Sequence, residues 1–279
     1  MNIALSGASS AIAQEIIPFL ENHGFNVIQI STTIKSNGNT IFSYQDLKSC
    51  SIKTRVDIFI HLASFNSKLK QKNFNDEISL THDVLNAMES MNCKKLIFFS
   101  TCKIYGEPEF SSSMISEDSD INPLCNYSKA KLACENLINA RAMSNEIHSI
   151  IFRLPPLIKK SSNSYIGKLM SLSKTCIPIA SFVEGEFNKR SFISINNLTK
   201  VIYKTISEPN LFMASNLYNL ADNDSISINK LLRKHSQKKV HVLPLFFSKL
   251  LRFFPISRRL YISIFCYFNV VNLKLLKDF

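Results

Sequence analysis

Lys95-Leu96-Ile97-Phe98-Phe99-Ser100-Thr101 is a short apolar run that closes on two hydroxyl residues. A run of this kind is typical of a strand buried on both faces of a parallel sheet. Open parallel sheets place ligands just beyond the carboxyl ends of their strands, which is where Thr101 falls. A polar loop then leads to Tyr127-Ser128-Lys129-Ala130-Lys131. On a helix this spacing stacks the phenol and the ammonium on one face. A phenol ionises near pH ~10, and the fixed charge of Lys131 favours its ionised form, so the pair is expected to bring acid/base chemistry towards neutrality. Thr101, Tyr127 and Lys131 are therefore the candidate catalytic constellation. Tyr44 and Lys48 repeat the spacing without such a strand before them and read as an accidental match.

Outward from this stretch, the chain alternates strands and helices. Asn2 to Ser6 reads as a strand, and Gly7-Ala8-Ser9-Ser10-Ala11-Ile12-Ala13 as the turn into a helix reaching about Asn22. Small residues at 7, 10 and 13 let a pyrophosphate approach the backbone and the positive end of the helix. Gly7, Ser9, Ser10, Ala11 and Ile12 are thus candidate cofactor-binding residues, although Ser10 and Ala13 stand where a full glycine fingerprint has glycine. Gly24 to Ile30 reads as the second strand. It ends in Ser31, Thr32 and Thr33 instead of a carboxylate for the ribose of NAD, and Lys35 is a candidate for the 2'-phosphate of NADP, so both dinucleotides stay open. A brief strand at Thr40 to Phe42 and a strong one at Val56 to Ala63 follow, with His61 read as a strand-end residue held by backbone contacts. A helix over residues 74–91 points Ile78, Val84, Leu85 and Met88 inward. Glu109 to Pro123 is a serine-rich, acidic loop of the length that often covers a site. The Tyr127 helix runs to about Ser144 with Ala130, Ala133, Cys134 and Leu137 as its core stripe, and Ser149 to Arg153 is another buried strand. Six alternations predict an α/β fold, a doubly wound parallel sheet of Rossmann type, with a smaller C-terminal substrate-binding lobe.

Composition sets the limits. The 279 residues are 46% hydrophobic and 19% charged, which is globular. The net charge of +12 admits nucleic acid, an anionic membrane or phosphorylated ligands. Without an Arg-rich arm, zinc spacing or an RNA-binding sheet signature, nucleic acid is not an expected partner. Seven cysteines without a C-x-x-C pair suggest reduced, buried thiols and a cytoplasmic protein. Cys102 adjoins the site without a histidine near it in sequence, and no metal site is expected. Met1 leads almost directly into the first strand, so no signal peptide is expected, and no run of 18 apolar residues suggests a spanning helix. The basic, aromatic tail from Val240 to Phe279 interleaves Lys249, Arg252, Arg258 and Arg259 with Phe246, Phe247, Phe253 and Phe254. Closing the substrate lobe is the favoured role for residues 240–279, and contact with an anionic membrane surface is the lesser one.

The ordered series of motifs resembles the extended short-chain dehydrogenase/reductases, the nucleotide-sugar epimerase/dehydratase family. It is carried by Ser6 to Ser10, by His61-Leu62-Ala63, by Ser100-Thr101-Cys102-Lys103-Ile104-Tyr105-Gly106 and by Tyr127 to Lys131. It continues through Arg153 to Leu157, Lys189 to Leu198 and Tyr218 to Ala221, then a helix started by Ser227, to about residue 235. The resemblance implies that Thr101 hydrogen-bonds the sugar and Tyr127 passes the proton. Lys131 would hold the nicotinamide ribose, and Gly7, Ser10 and Ala13 would take the phosphates. Leu62 and Ala63 join the cofactor-binding set, and Arg190 is a candidate for the substrate diphosphate. It implies NAD or NADP as cofactor and a nucleotide sugar, expected to be a UDP-hexose, as substrate, with a homodimer left open. The expected division is a Rossmann domain over 1–155 and a substrate lobe over 156–279, with about 190–207 returning to the Rossmann domain. Family dehydratases carry Asp-Glu directly after the active-site threonine, whereas Cys102-Lys103 stands here, which disfavours a 4,6-dehydratase. The expected activity is a 4-epimerase of surface-polysaccharide synthesis. The alternatives are a 4-keto-6-deoxy-sugar reductase and, in another class, a non-catalytic dinucleotide-binding scaffold.

Overall fold

A computed structural model describes residues 1–32, 41–64, 74–108, 113–158, 180–181, 189–213, 216–223, 225–227, 230, 241–242 and 266–275. In chain order these form β1 (Asn2–Ser6), α1 (Ala13–Asn22), β2 (Asn26–Ile30), β3 (Ile41–Phe42), α2 (Tyr44–Lys48), β4 (Ile58–His61), α3 (Phe74–Ser90) and β5 (Lys95–Thr101). There follow β6 (Met114–Ile115), α4 (Asn126–Met143), β7 (His148–Leu154), β8 (Leu157–Ile158), β9 (Ala180–Ser181), β10 (Lys189–Arg190), β11 (Ile193–Ser194), α5 (Ile195–Ser207), β12 (Asn216–Asn219), β13 (Ile226–Ser227), β14 (His241–Val242) and β15 (Asn269–Val270).

Seven strands make one sheet in the order β12-β7-β5-β4-β1-β2-β3, every neighbouring pair parallel. The order reverses between β1 and β4, the crevice where such sheets bind ligands. Successive residues of a strand face opposite sides, and the core divides accordingly. Ile97 and Phe99 of β5 join Ile3, Leu5, Ile58, Ile60 and Phe152 beneath α1 and α5. Leu96 and Phe98 join Ala4, Ile28, Phe59 and Ile151 beneath α2, α3 and α4. Burial on both faces is why these strands read as continuous apolar runs instead of alternating ones.

The segment after residue 155 contributes to this same body. Leu198, Ile202 and Ile206 of α5 pack in the α1 layer, and β12 pairs with β7 from Asn216↔Ile150 to Asn219↔Arg153. The remaining described strands form two-residue ladders, β10 with β13, β11 with β8, β14 with β9 and β15 with β6. The last of these ties part of the expected 109–123 loop to the end of the chain, where Phe268 and Val270 are buried with Cys102 and Ala221. The basic aromatic residues of the tail from Phe246 to Arg259 lie outside the described residues, as do Lys35 and most of the expected Ser227 helix. Among the described residues, no helix is long and apolar enough to cross a membrane.

Candidate active site

The site is assembled where β1, β4 and β5 end beside the start of α4. Ser6 pairs with His61 in the sheet, so the residues that follow each strand lie side by side. Gly7 has φ +80°, and a Cβ there would come within 2.7 Å of the Ala63 nitrogen and 2.9 Å of its Cα. Only glycine meets both demands, and the close approach brings the Gly7 turn against Leu62 and Ala63. Ser9 and Ala11 are exposed, and Ser10 and Ile12 half-buried, at the entrance to α1. The Ser10 hydroxyl accepts the Ala13 N–H at 3.2 Å. Where a glycine would leave that amide for a phosphate, this chain caps it with its own side chain. The turn fits a dinucleotide pyrophosphate: the Cβ-free approach at Gly7 and the amino end of a ten-residue helix are both present.

Tyr44 belongs to this turn and is no bystander. Its hydroxyl accepts the Gly7 N–H at 2.9 Å, an amide shared with the Ile30 carbonyl at 3.1 Å. The capping box between Ser43 and Asp46 starts α2 and fixes the phenol there. A Tyr-x-x-x-Lys search finds this residue for a reason unrelated to what it does, since Lys48 plays no part in the contact.

At the other end of the site, Thr101 ends β5 and is buried, its hydroxyl accepting the Lys103 N–H at 3.3 Å and hydrogen-bonding the Tyr127 hydroxyl. Lys131 lies one turn along α4, as the spacing requires. Its ammonium is 3.0 Å from Glu77 Oε1 of α3, both side chains being only 2% exposed, and 4.6 Å over the Phe98 ring. Burial opposes the charge of Lys131, but Glu77 and Tyr127 hold its pKa above the ordinary lysine value. The Tyr127 phenol is also held above its ordinary value. Burial raises it, Lys131 and the Thr101 bond pull it down, and Glu77 pushes it up again. Lys131 does pull the phenol down, as expected, but not to neutrality in this ground state, because burial outweighs the cation and the Glu77 carboxylate adds to burial. Glu77 was missed by sequence reasoning. A carboxylate at a position flanked by Asn75, Asp76 and Ile78 carries no sign that it will be buried.

Further polar groups knit the strand ends together. His61 is paired through its backbone on both sides at the end of β4, as its position suggested, and its ring is held as well. Its Nδ1 lies 2.7 Å from Ser6 Oγ and its Nε2 3.2 Å from Thr81 Oγ1. The Thr81 proton goes to the Glu77 carbonyl or to Cys134 Sγ, so Thr81 accepts from Nε2–H and Ser6 donates to Nδ1. Burial, reinforced by Lys131, pushes the imidazole down to about 3 and keeps it neutral. Arg153 makes a two-pronged pair with buried Glu135, at 3.1 and 2.7 Å, and donates to the Tyr105 hydroxyl at 2.9 Å. Tyr105 in turn donates to Asn219 at 2.8 Å. The buried stripe of α4 is therefore Ser128, Ala130, Lys131, Cys134, Glu135 and Ile138, with Ala133 and Leu137 only half-buried. Two charges displace the apolar stripe expected there because each finds a partner on a neighbouring element.

Cys102 is buried, and burial pushes its thiol well above the ordinary range. Its S–H donates to the Arg153 carbonyl at 3.2 Å, a packing role. Cys125, expected to be buried, is exposed at the cap of α4. Arg190 is half-buried on β10, paired with Ile226 and bridged to Phe268. No cluster of metal-binding side chains occurs among the described residues.

The chain is similar in sequence and fold to known proteins. A GDP-6-deoxy-D-talose 4-dehydrogenase from Aggregatibacter actinomycetemcomitans is 26% identical over 240 residues, 75% of this chain and 71% of that protein. Against three other curated relatives, a 4,6-dehydratase and two 4-epimerases, the chain spans only 28%, 22% and 31% of their length. The fold matches a UDP-glucose 4-epimerase of Thermotoga maritima solved with UDP-glucose (TM-score 0.76, 15% identity, 99% of this chain and 92% of that one). It also matches a UDP-glucuronic acid 4-epimerase of Bacillus cereus solved with NAD (TM-score 0.71, 20% identity, 88% and 85%). With the family model matching residues 3–221, the chain belongs to the NAD dependent epimerase/dehydratase family.

Proposed function

We propose that the protein is an NAD(P)-dependent enzyme acting at C4 of a nucleotide-activated hexose, with a 4-epimerase of a UDP-hexose as the first reading. The observation that carries it is the Thr101–Tyr127 hydrogen bond with Lys131 one turn below, at the strand ends that adjoin the Gly7 turn. A non-catalytic scaffold has no physical need for that arrangement. When bound, the dinucleotide supplies an acceptor or donor of hydride at C4. Tyr127 moves the proton on the C4 oxygen, and Thr101 orients that oxygen and the phenol together. Lys131 presents an ammonium to the nicotinamide ribose, and Gly7, Ser9, Ser10, Ala11 and Ile12 hold the pyrophosphate, with Leu62 and Ala63 walling the crevice. Arg190 is proposed to hold the diphosphate of the substrate, a task suited to a fork of donors.

A second reading, a 4-keto-sugar reductase, is favoured by two observations. The relative matched over 75% of this chain is a 4-dehydrogenase. The Ser10 hydroxyl also takes an amide that a permanently held dinucleotide would use, and a reductase must release its cofactor in each turnover. Incubation with UDP-hexoses and no added cofactor tests the choice. Interconversion of gluco and galacto forms without net change at about 340 nm, the absorbance of reduced nicotinamide, establishes the epimerase. Stoichiometric loss of reduced dinucleotide with a 4-keto-6-deoxy sugar, and no interconversion, establishes the reductase.

A further inference from the structure

Among the described residues, Glu77 is the carboxylate paired with the Lys131 ammonium. It projects from α3 into the α3–α4 interface, 3.0 Å from Nζ and as deeply buried as the lysine. The same turn of α3 is fastened at its backbone, since the Glu77 carbonyl accepts from Thr81 Oγ1 at 3.1 Å and lies 3.7 Å from Cys134 Sγ. Thr81 is itself held by His61. These contacts fix the turn of α3 from which the carboxylate projects.

We propose that Glu77 is a positioning residue of the site: it fixes the Lys131 ammonium and offsets its charge, so that proton transfer is governed by a Glu77–Lys131–Tyr127 unit instead of a Tyr–Lys pair. Several described groups face the unit. Lys131 is met by Glu77 from α3, by Tyr127 and Cys134 from α4, by the Phe98 ring from β5 and by neutral His61 from β4. Tyr127 is met by Thr101 from β5, by Cys125 at the cap of α4, and by Lys131 and Glu77. Burial raises the Cys134 thiol to about 11, so it is protonated near neutrality; burial also raises the Cys125 thiol at the exposed cap, but its hydrogen bonds with Ser128 bring it below its ordinary value. Lys131 and Glu77 are the cation and the anion of the unit. Burial favours the protonated phenol, and the anion opposes the pull of the cation on it. A phenol resting as the acid can give its proton to a C4 oxygen at once. To take one from a C4 hydroxyl it must first lose its own, at alkaline pH. This assignment of direction rests on the C4 chemistry proposed above, whereas the electrostatic unit does not.

Two variants separate charge from shape. Glu77→Gln keeps the size and one hydrogen bond but removes the charge, and Glu77→Asp keeps the charge on a shorter stem. With the anion gone, the uncompensated Lys131 and Tyr127 together shed their first proton at lower pH. The acid limb of the kcat/KM profile for oxidation of a nucleotide sugar is therefore expected to move down by one pH unit or more in Glu77→Gln, a tenfold change in proton activity, and to stay near wild type in Glu77→Asp. Superimposable limbs in wild type and Glu77→Gln overturn the proposal. A substrate-free measurement guards against variants that fail to fold and against a wrong choice of sugar. The alkaline ultraviolet titration of tyrosinate, wild type minus Tyr127→Phe, is expected to place the Tyr127 transition above pH ~10, the free-phenol value. A transition below that value overturns the proposal even if the sugar chemistry is right. A titration as expected, with no activity on any nucleotide sugar, counts against the functional reading alone.

Discussion

At the scale of single residues, the hydroxyl of Tyr127 and the charge of Lys131 make different demands on experiment. Tyr127→Phe removes one oxygen from a half-buried ring. It is expected to lower turnover by about a hundred- to ten-thousandfold, the usual worth of a positioned acid/base, with fold and dinucleotide affinity kept. Near-normal steady-state rates in this variant would remove Tyr127 from the mechanism. Tyr44→Phe is the paired control with a known contact: Gly7 N–H loses the phenol but keeps the Ile30 carbonyl. Its dinucleotide affinity is expected to change by no more than about tenfold, roughly 1.4 kcal/mol. Lys131→Met is a harsher change than its place on a helix suggests, because it strands the Glu77 carboxylate in the core. Removing one partner of a buried pair typically costs about 3–5 kcal/mol. Chemical denaturation should show that loss in Lys131→Met and recovery of most of it in Lys131→Met/Glu77→Leu. If the double variant is no more stable than the single, the pair is not the source of the loss.

At the scale of elements, α4 works as a shelf for charges and not as an amphipathic helix. Lys131 reaches α3 and Glu135 reaches Arg153 on β7, so ion pairs tie the helix to its neighbour and to the sheet. The strand-to-helix turn after β1 and the end of β2 are the elements proposed to face the cofactor. Ser31 is buried at the end of β2, its N–H donating to the Phe42 carbonyl, and Thr32 beside it is exposed. Neither can repel a 2'-phosphate as a carboxylate does. Calorimetric titration is accordingly expected to find NAD and NADP within about a hundredfold of each other, roughly 2.7 kcal/mol. A larger preference for NAD would mean that a carboxylate elsewhere makes the selection.

At the scale of the whole molecule, stability is tied to pH through the buried strand ends. His61 is held at about 3 by burial and by Lys131, whereas in the unfolded chain it takes a proton near pH ~6.5. Below that value the unfolded state binds more protons than the folded one, so stability falls as pH drops from about 6.5 towards 3 and is fully present above it. Urea midpoints measured between pH 7 and 4.5 are expected to fall less steeply in His61→Asn than in the wild type, and parallel slopes would exclude the linkage. The sequence by itself determined the doubly wound sheet. Strands such as Lys95–Thr101 and His148–Leu154 are buried on both faces, and that burial writes an unbroken apolar run into the chain. It also determined the Thr101–Tyr127–Lys131 constellation, since helical spacing and the end of a strand are local properties. What only the tertiary structure decided is the electrostatic state of that constellation and the place of β12 at the edge of the sheet. Glu77 is 54 residues from Lys131, Tyr44 is 37 from Gly7, and β12 joins β7 across more than 60 residues. A carboxylate or phenol looks the same in sequence whether water or an ammonium awaits it. Partners brought together by the packing of α3 on α4, and of the β3–α2 turn on β1, leave no periodic trace in the chain.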